Sequence, residues 1–279
     1  MINLYTTNGL MFWDEKEIKY RNYIKQIFTD EIEALLRSEN RAWHFFEIEA
    51  PLLIPRELIN ANYTNEDIWA QENLSDKNRA NELKELSFKA REGDAKAAIE
   101  IMEKMSSPSN NTEDDLVLRP ETTPSSYAYA AHMLNNNTIL PPFCVLQSGK
   151  SFRREQDQVT KNMRLKEFYQ QEFQCIYAAD TLNDYQEKVL EPIRAMFQKV
   201  IGLPARIVES DRLPSYSLRT MDIEIDNGDK WMEICSISKR TDFPQKVKFQ
   251  TKNGVIEKDM LVLEIAIGLD RCVYNYFKI

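Results

Sequence analysis

The sequence predicts an α+β fold in which an antiparallel β-sheet is flanked by helices and interrupted by a helical insert. Strand-like segments come in a run, ARIVES, MDIEI, KWMEICSIS, KVKFQT, GVIEK and DMLVLEIAI following one another between Ala205 and Ile267, whereas a doubly wound parallel sheet would alternate strand with helix. Two long segments with helical apolar spacing stand apart from that run, one near the N-terminus and one directly before it. Between Ser75 and Met105 the composition turns charge-dense, which marks the insert.

The bulk numbers exclude several classes. At 279 residues, 43% hydrophobic and 29% charged, the chain can bury a substantial core and is too apolar to be disordered. Lys and Arg total 36 against 44 Asp and Glu, a net charge of −8, so there is no overall attraction to nucleic-acid phosphates and any such contact is local. Cys144, Cys175, Cys235 and Cys272 form no CxxC pair, and His44 and His132 are the two histidines, a poor inventory for structural zinc. The start MINLYTTNGLMFWDEKE has no basic segment followed by an apolar one, and no apolar run approaches the length of a bilayer span. A cytoplasmic, reduced protein that does not enter a membrane is expected.

In chain order, residues 14–38 place Ile18, Tyr23, Ile24, Ile27, Phe28, Ile32, Leu35 and Leu36 at helical spacing. HFFEIEAPLLIP then suits a strand, with Pro51 holding Ala50 extended. The insert, bounded at 70–115, reads as a helical hairpin broken at Gly93 and Asp94, with a narrow apolar seam of Leu83, Leu86, Ala97, Ile99 and Met102. LVLRP is a strand, and TTPSSYAYAAHML a helix with Thr123 as N-cap and Pro124 in its first turn. FCVLQSG is a strand; SFRRE and LKEFYQQEFQCIY are two more, joined by a polar loop without glycine. TLNDYQEKVLEPIRAMFQKVI is a long helix with Pro192 as a candidate kink, closed by Gly202 and Pro204. After the strand run, LDRCVYNYF is a short helix. The whole of 1–279 is expected to be one domain carrying the insert.

Three segments place charge on strand or strand-end sequence. In SFRREQDQVTKNMRLKEFYQQE, alternation sets Arg153 with Glu155 on one face and Arg164, Lys166 and Phe168 on another. Cations, a carboxylate and an aromatic ring suit a nucleotide, since guanidinium forks hold phosphates and the ring stacks on a base. The plain alternative is a solvated sheet face with Phe168 in the core. WMEICSISKRTDF and LEIAIGLDR are the other two.

Together these segments resemble the signatures of class II aminoacyl-tRNA synthetases. SFRREQDQVTKNMRLKEFYQQEF is similar to their motif 2, LEIAIGLDRCVY to motif 3, and Pro51 stands where the motif 1 proline does. VLRPETTPS, PSYSLRTMDI and EICSISKRTDF resemble segments of glycyl-tRNA synthetases in particular. The matches run in family order through residues 40–60 and 116–279.

The resemblance implies ATP, Mg2+ and an amino acid as ligands. Arg153 would hold the α-phosphate, Glu155 the adenine side, Phe168 the adenine ring, Arg164 the outer phosphates and Arg271 the γ-phosphate. Glu233 and Glu264 would carry magnesium, a hard cation that prefers oxygen. Glu121, Glu172 and Arg240, with Ser236 and Ala266, would line the amino-acid pocket. The reaction implied is attack of the amino-acid carboxylate on the α-phosphorus, with pyrophosphate leaving. No general base is needed because the carboxylate is already ionised. Transfer to tRNA or another acyl acceptor would follow, and motif 1 implies a homodimer.

Each residue also has a plainer role. Glu121 could cap the helix near Thr123, Arg271 could pair with Asp270 or the C-terminal carboxylate, and Cys235 and Cys272 suit a core. A non-catalytic paralogue acting by binding is the competing function. Two positions depart from the glycyl pattern: Ser236 replaces a glycine and Ala266 a serine. With eight residues after Arg271, the anticodon-binding domain of the related synthetases is expected to be absent.

Overall fold

A computed structural model of the protein describes residues 9–59, 63–64, 67–70, 77–91, 93–106, 116–154, 163–211 and 213–278. The centre is a seven-stranded sheet made by β1 (His44–Ile48), β5 (Phe143–Phe152), β6 (Glu167–Ala178), β7 (Ala205–Glu209), β8 (Ser217–Asp226), β9 (Trp231–Arg240) and β12 (Met260–Gly268). Their order is β1-β5-β6-β12-β9-β8-β7. All neighbours are antiparallel except β1 and β5, which pair in parallel. The sheet is therefore mixed at one edge and antiparallel through the centre, as the run of strands predicts. A three-stranded sheet of β2 (Leu53–Pro55), β4 (Leu116–Leu118) and β3 (Trp69–Ala70) and a hairpin of β10 (Val247–Thr251) and β11 (Gly254–Lys258) complete the β structure.

Alternation along each strand separates two faces. Leu263, Ile265 and Ile267 of β12, Phe173, Cys175 and Tyr177 of β6, and Cys235 and Ile237 of β9 join one core. Ile24, Phe28, Ile32 and Leu36 of α1 (Glu15–Glu39), Val189, Ile193, Phe197 and Ile201 of α5 (Tyr185–Ile201), and Cys272 and Val273 of α6 (Leu269–Lys278) cover it. Burying one such aliphatic side chain is worth about 1.5–3 kcal/mol, so the helix-facing register is strongly specified. A one-residue slip of β12 would drive Glu264 into this core.

Local signals set the helix ends. Asp14 accepts the N–H groups of Lys16 and Glu17 while Glu17 accepts the Asp14 N–H at 2.7 Å, a reciprocal cap that starts α1. Asp184 accepts from the Glu187 N–H at the start of α5, and Gly202 closes that helix at φ +80°. The helix continues through Pro192. In the insert, α2 (Lys77–Arg91) and α3 (Ala95–Ser106) form the expected hairpin. Leu86 and Ala97 are its buried seam, whereas Ile99 and Met102 are exposed.

Two expectations are corrected. FCVLQSG and SF form the single strand β5, and β6 begins at Glu167, so Arg153 and Arg164 lie on the chain leaving and entering the ladder. The helix α4 (Thr123–Asn135) has Thr122, not Thr123, at its N-cap position, and no side chain caps it. Both threonine hydroxyls are committed elsewhere.

Candidate active site

The face of the sheet away from α1 and α5 carries polar side chains in register across the central strands. Gln174 stands opposite Glu264 and Glu264 opposite Ser238; one step along, Glu172 stands opposite Ala266 and Ala266 opposite Ser236. The start of α4 sits over this face and supplies the hydroxyls. Thr122 Oγ1 donates to Glu172 Oε2 at 2.5 Å, and Thr123 Oγ1 lies 3.1 Å from Glu172 Oε2 and 3.0 Å from Glu264 Oε2. Gln174 Nε2 donates to Glu264 Oε2 at 2.8 Å. Tyr63 OH donates to Glu121 Oε2 at 3.0 Å, so Glu121 faces the cleft and is not a helix cap.

Arg240 closes the group. It is 1% exposed, donates from Nη1 to Glu264 Oε2 at 2.5 Å, and grips Asp242 with Nε at 3.0 Å and Nη2 at 2.7 Å. The Tyr216 ring lies 4.0 Å from its guanidinium carbon. Glu121, Glu172 and Glu264 are 7%, 3% and 7% exposed. Burial, and then the mutual repulsion with Glu264 and Glu121, pushes the Glu172 carboxyl up to about 7, and burial likewise raises Glu121. Such a pocket has more carboxylates than its buried arginine balances. Its excess of carboxylates could accommodate a cation.

A few residues away the character reverses. Arg153 donates from Nε to the Pro120 carbonyl at 3.2 Å, and its guanidinium carbon lies 5.2 Å from the Phe168 ring centre. Its backbone N–H bonds the Lys166 carbonyl at 3.0 Å, which extends the β5–β6 ladder and aims the side chain into the cleft. Arg271, in the first turn of α6, donates from Nη1 to the Glu233 carbonyl at 2.9 Å, with Glu233 Oε1 at 3.4 Å. Among the described residues its ion-pair partner is Glu233 and not Asp270, and the C-terminal carboxylate lies outside them. A cleft of about 500 Å³ runs from Glu121 and Glu172 to Arg153, Arg164, Phe168 and Arg271.

Of the residues singled out in the sequence, Arg153, Arg164, Phe168, Glu233, Arg271, Glu121, Glu172, Ser236, Glu264 and Ala266 all line this cleft. Arg240 stands behind Glu264. Glu155 lies outside the described residues. Glu233 and Glu264 are on neighbouring strands as expected, yet the register keeps them apart. Glu264 pairs with Ser238, five residues along β9 from Glu233, which at about 3.3 Å per residue is roughly 16 Å. With Glu264 engaged by Arg240, Gln174 and Thr123, the two carboxylates do not form one metal site. Among the described residues, no group of three or more His, Cys, Asp or Glu is arranged to hold a metal ion.

Several functional residues escaped the sequence reading. Thr122 and Thr123 read there as helix-start residues, and Gln174 follows Glu172 at the strand period, a signal that could have found it. Tyr216 and Asp222 lie in the family-like segment PSYSLRTMDI, where no site role was expected of them, and Tyr63 gave no comparable signal. Asp222, opposite Ser236, also lines the cleft and is raised by burial.

A mixed, mainly antiparallel sheet with α1, α5 and α6 on one face and, beside α4 on the other, an arginine-flanked, acidic cleft is the architecture of a class II aminoacyl-tRNA synthetase core. The structure superposes on prolyl-tRNA synthetase from Cryptosporidium parvum complexed with halofuginone and AMPPNP, with a TM-score of 0.63 over 97% of this chain and 48% of that one. At 12% identity, that likeness speaks for the fold. The family model for the tRNA synthetase class II core domain (G, H, P, S and T) matches residues 103–278, and the chain belongs to this family. Glycine–tRNA ligase of Mycoplasma capricolum is 32% identical over 160 residues, covering 54% of this chain and 34% of the ligase. That of Mycobacterium bovis is 32% identical over 178 residues, covering 57% and 38%. The chain thus spans about a third of the length of the curated relatives it matches.

Proposed function

We propose that this protein activates a small amino acid as its adenylate, using ATP, and passes the acyl group to tRNA or another acceptor. The observation that carries the reading is the polarity of one continuous cleft: carboxylates in excess of their one buried arginine at one end, and arginines around an aromatic ring at the other. An amino acid and ATP supply the complementary charges. The α-ammonium would sit among Glu121, Glu172 and Glu264, which turns the substrate carboxylate toward Arg153.

Phe168 would stack the adenine, Arg153 would neutralise the α-phosphate and Arg271 would hold the outer phosphates, with Arg164 beside them. The attacking carboxylate is ionised at neutral pH, so the chain needs no general base. Its contribution is orientation and charge neutralisation at the in-line displacement. Magnesium prefers one or two carboxylates plus substrate phosphates and keeps several waters. Glu233, half exposed at the phosphate end, fits that role; Glu264 fits the ammonium instead. When bound, the ion would offset charge on the bridging phosphate oxygens.

Ser236 and Ala266, paired across β9 and β12, form part of the pocket floor, and Tyr63 and Tyr216 wall it. That supports a small substrate, with glycine, named by the relatives, the first to test. Pyrophosphate exchange across the twenty amino acids is the direct experiment. Exchange with one or two small amino acids, abolished by Arg153→Ala, is the expected result. No exchange with any of them and no ATP binding would refute the enzyme reading.

A further inference from the structure

Arg119 follows β4, is 2% exposed and is not among the residues that line the cleft. Its guanidinium donates from Nε to the Lys150 carbonyl at 2.9 Å, and from Nη1 to the Ala50 carbonyl at 3.1 Å and to Gln147 Oε1. Its backbone is pinned as well: the N–H donates to the Leu52 carbonyl and the carbonyl accepts the Phe152 N–H, both at 2.9 Å. Gln147, also buried, donates its amide to the Thr122 carbonyl at 3.3 Å and to Ser126 Oγ at 3.2 Å. One arginine thereby ties residues 50–52, strand β5 and the start of α4 together, a task for a rigid fork of donors that a single ammonium cannot match. Gly149 lies against the guanidinium, and a Cβ there would collide with Arg119 Nη2.

What Arg119 holds is the turn that both halves of the cleft share. The Pro120 carbonyl accepts from Arg153 Nε at 3.2 Å, Glu121 accepts the Tyr63 hydroxyl at 3.0 Å, and Thr122 and Thr123 reach Glu172 and Glu264. Residues 120–123 therefore supply or touch the arginine assigned to the α-phosphate and each carboxylate assigned to the ammonium. We propose that Arg119 is a positioning residue for adenylate formation: it fixes this turn so that the amino-acid carboxylate lies in line with the α-phosphorus, and Gly149 leaves the room its guanidinium requires. Arg119 touches neither substrate and acts through Arg153 and Glu121. Phe168, Arg164 and Arg271 stand elsewhere in the chain, as do Glu172 and Glu264, so each substrate keeps most of its contacts when the turn shifts. The loss then falls on the chemical step. The inference rests on the adenylate reading above.

The experiment is pyrophosphate exchange by wild type, Arg119→Met, Gly149→Ala and the double variant, with the amino acid that wild type exchanges best, and urea unfolding of each. Because misaligned reactants slow the chemistry while a transition-state effect spares KM, Arg119→Met and Gly149→Ala should each lower kcat about tenfold or more and leave both KM values within about threefold. On the Arg119→Met background, Gly149→Ala should cost nothing further, since the group it displaces is gone. Unchanged kcat with a lowered urea midpoint means a role in stability alone and overturns the proposal, as does a loss carried by KM or additive losses in the double variant. If Arg119→Met does not fold, Arg119→Lys, which keeps the charge without the fork, and Gly149→Ala are read by the same split. Wild type that exchanges no amino acid refutes the adenylate reading and this inference with it. Wild type that exchanges, with kcat retained in the variants, refutes the inference alone.

Discussion

In the proposed function, Glu172 trades stability for binding. Burial and its carboxylate neighbours hold its folded-state pKa near 7, above the 4.5 of a free glutamate. A group raised in this way contributes stability fully below pH 4.5, and that contribution is lost as pH rises through 7. Without substrate, Glu172→Gln should therefore melt above wild type at pH 8, by about 2–4 °C for each kcal/mol recovered, and match it near pH 4.5. The same variant should raise the amino-acid KM about tenfold or more and leave the ATP KM unchanged, because a charge-assisted bond to the ammonium is lost. Ammonium affinity in wild type should fall as pH drops below 7. Arg240→Met leaves the buried Glu264 and the partly exposed Asp242 without their cation and should cost about 3–5 kcal/mol of stability, measurable by urea unfolding. Equal midpoints for Arg240→Met and wild type would contradict that account of the pocket.

Among the elements, helix ends follow short-range rules and sheet registers do not. Asp14 and Glu17 form a reciprocal cap, so Asp14→Ala should cost about 1 kcal/mol, read as a shift in the urea midpoint with unchanged slope. Gly202 at φ +80° should likewise resist alanine, at a cost of about 1 kcal/mol. These positions were legible because the residues that make each cap are two or three apart. The start of α4 was misread for the opposite reason. Thr122 and Thr123 look like capping residues, yet Glu172, about fifty residues on, takes both hydroxyls. The strand-like charge pattern around Arg153 and Arg164 was real in content and wrong in boundary, since the ladder of β5 and β6 ends at Phe152 and Glu167.

At the scale of the whole molecule, the cleft depends on strands far apart in sequence lying side by side. β6, β12 and β9 put Glu172, Glu264 and Ser236 on one face, and α1 braces α6 from the other. If motif 1 builds the two-fold interface that the family resemblance implies, light scattering at micromolar concentration should give the mass of a dimer; a clean monomer mass would contradict it. The sequence by itself determined the helices and the run of strands, because alternation and caps are local properties of the chain. The family resemblance gave both Glu233 and Glu264 to magnesium. Only the tertiary structure decided which carboxylate meets Arg240 and which meets Arg271, since pairing register sets those partners and a register is a property of two strands together.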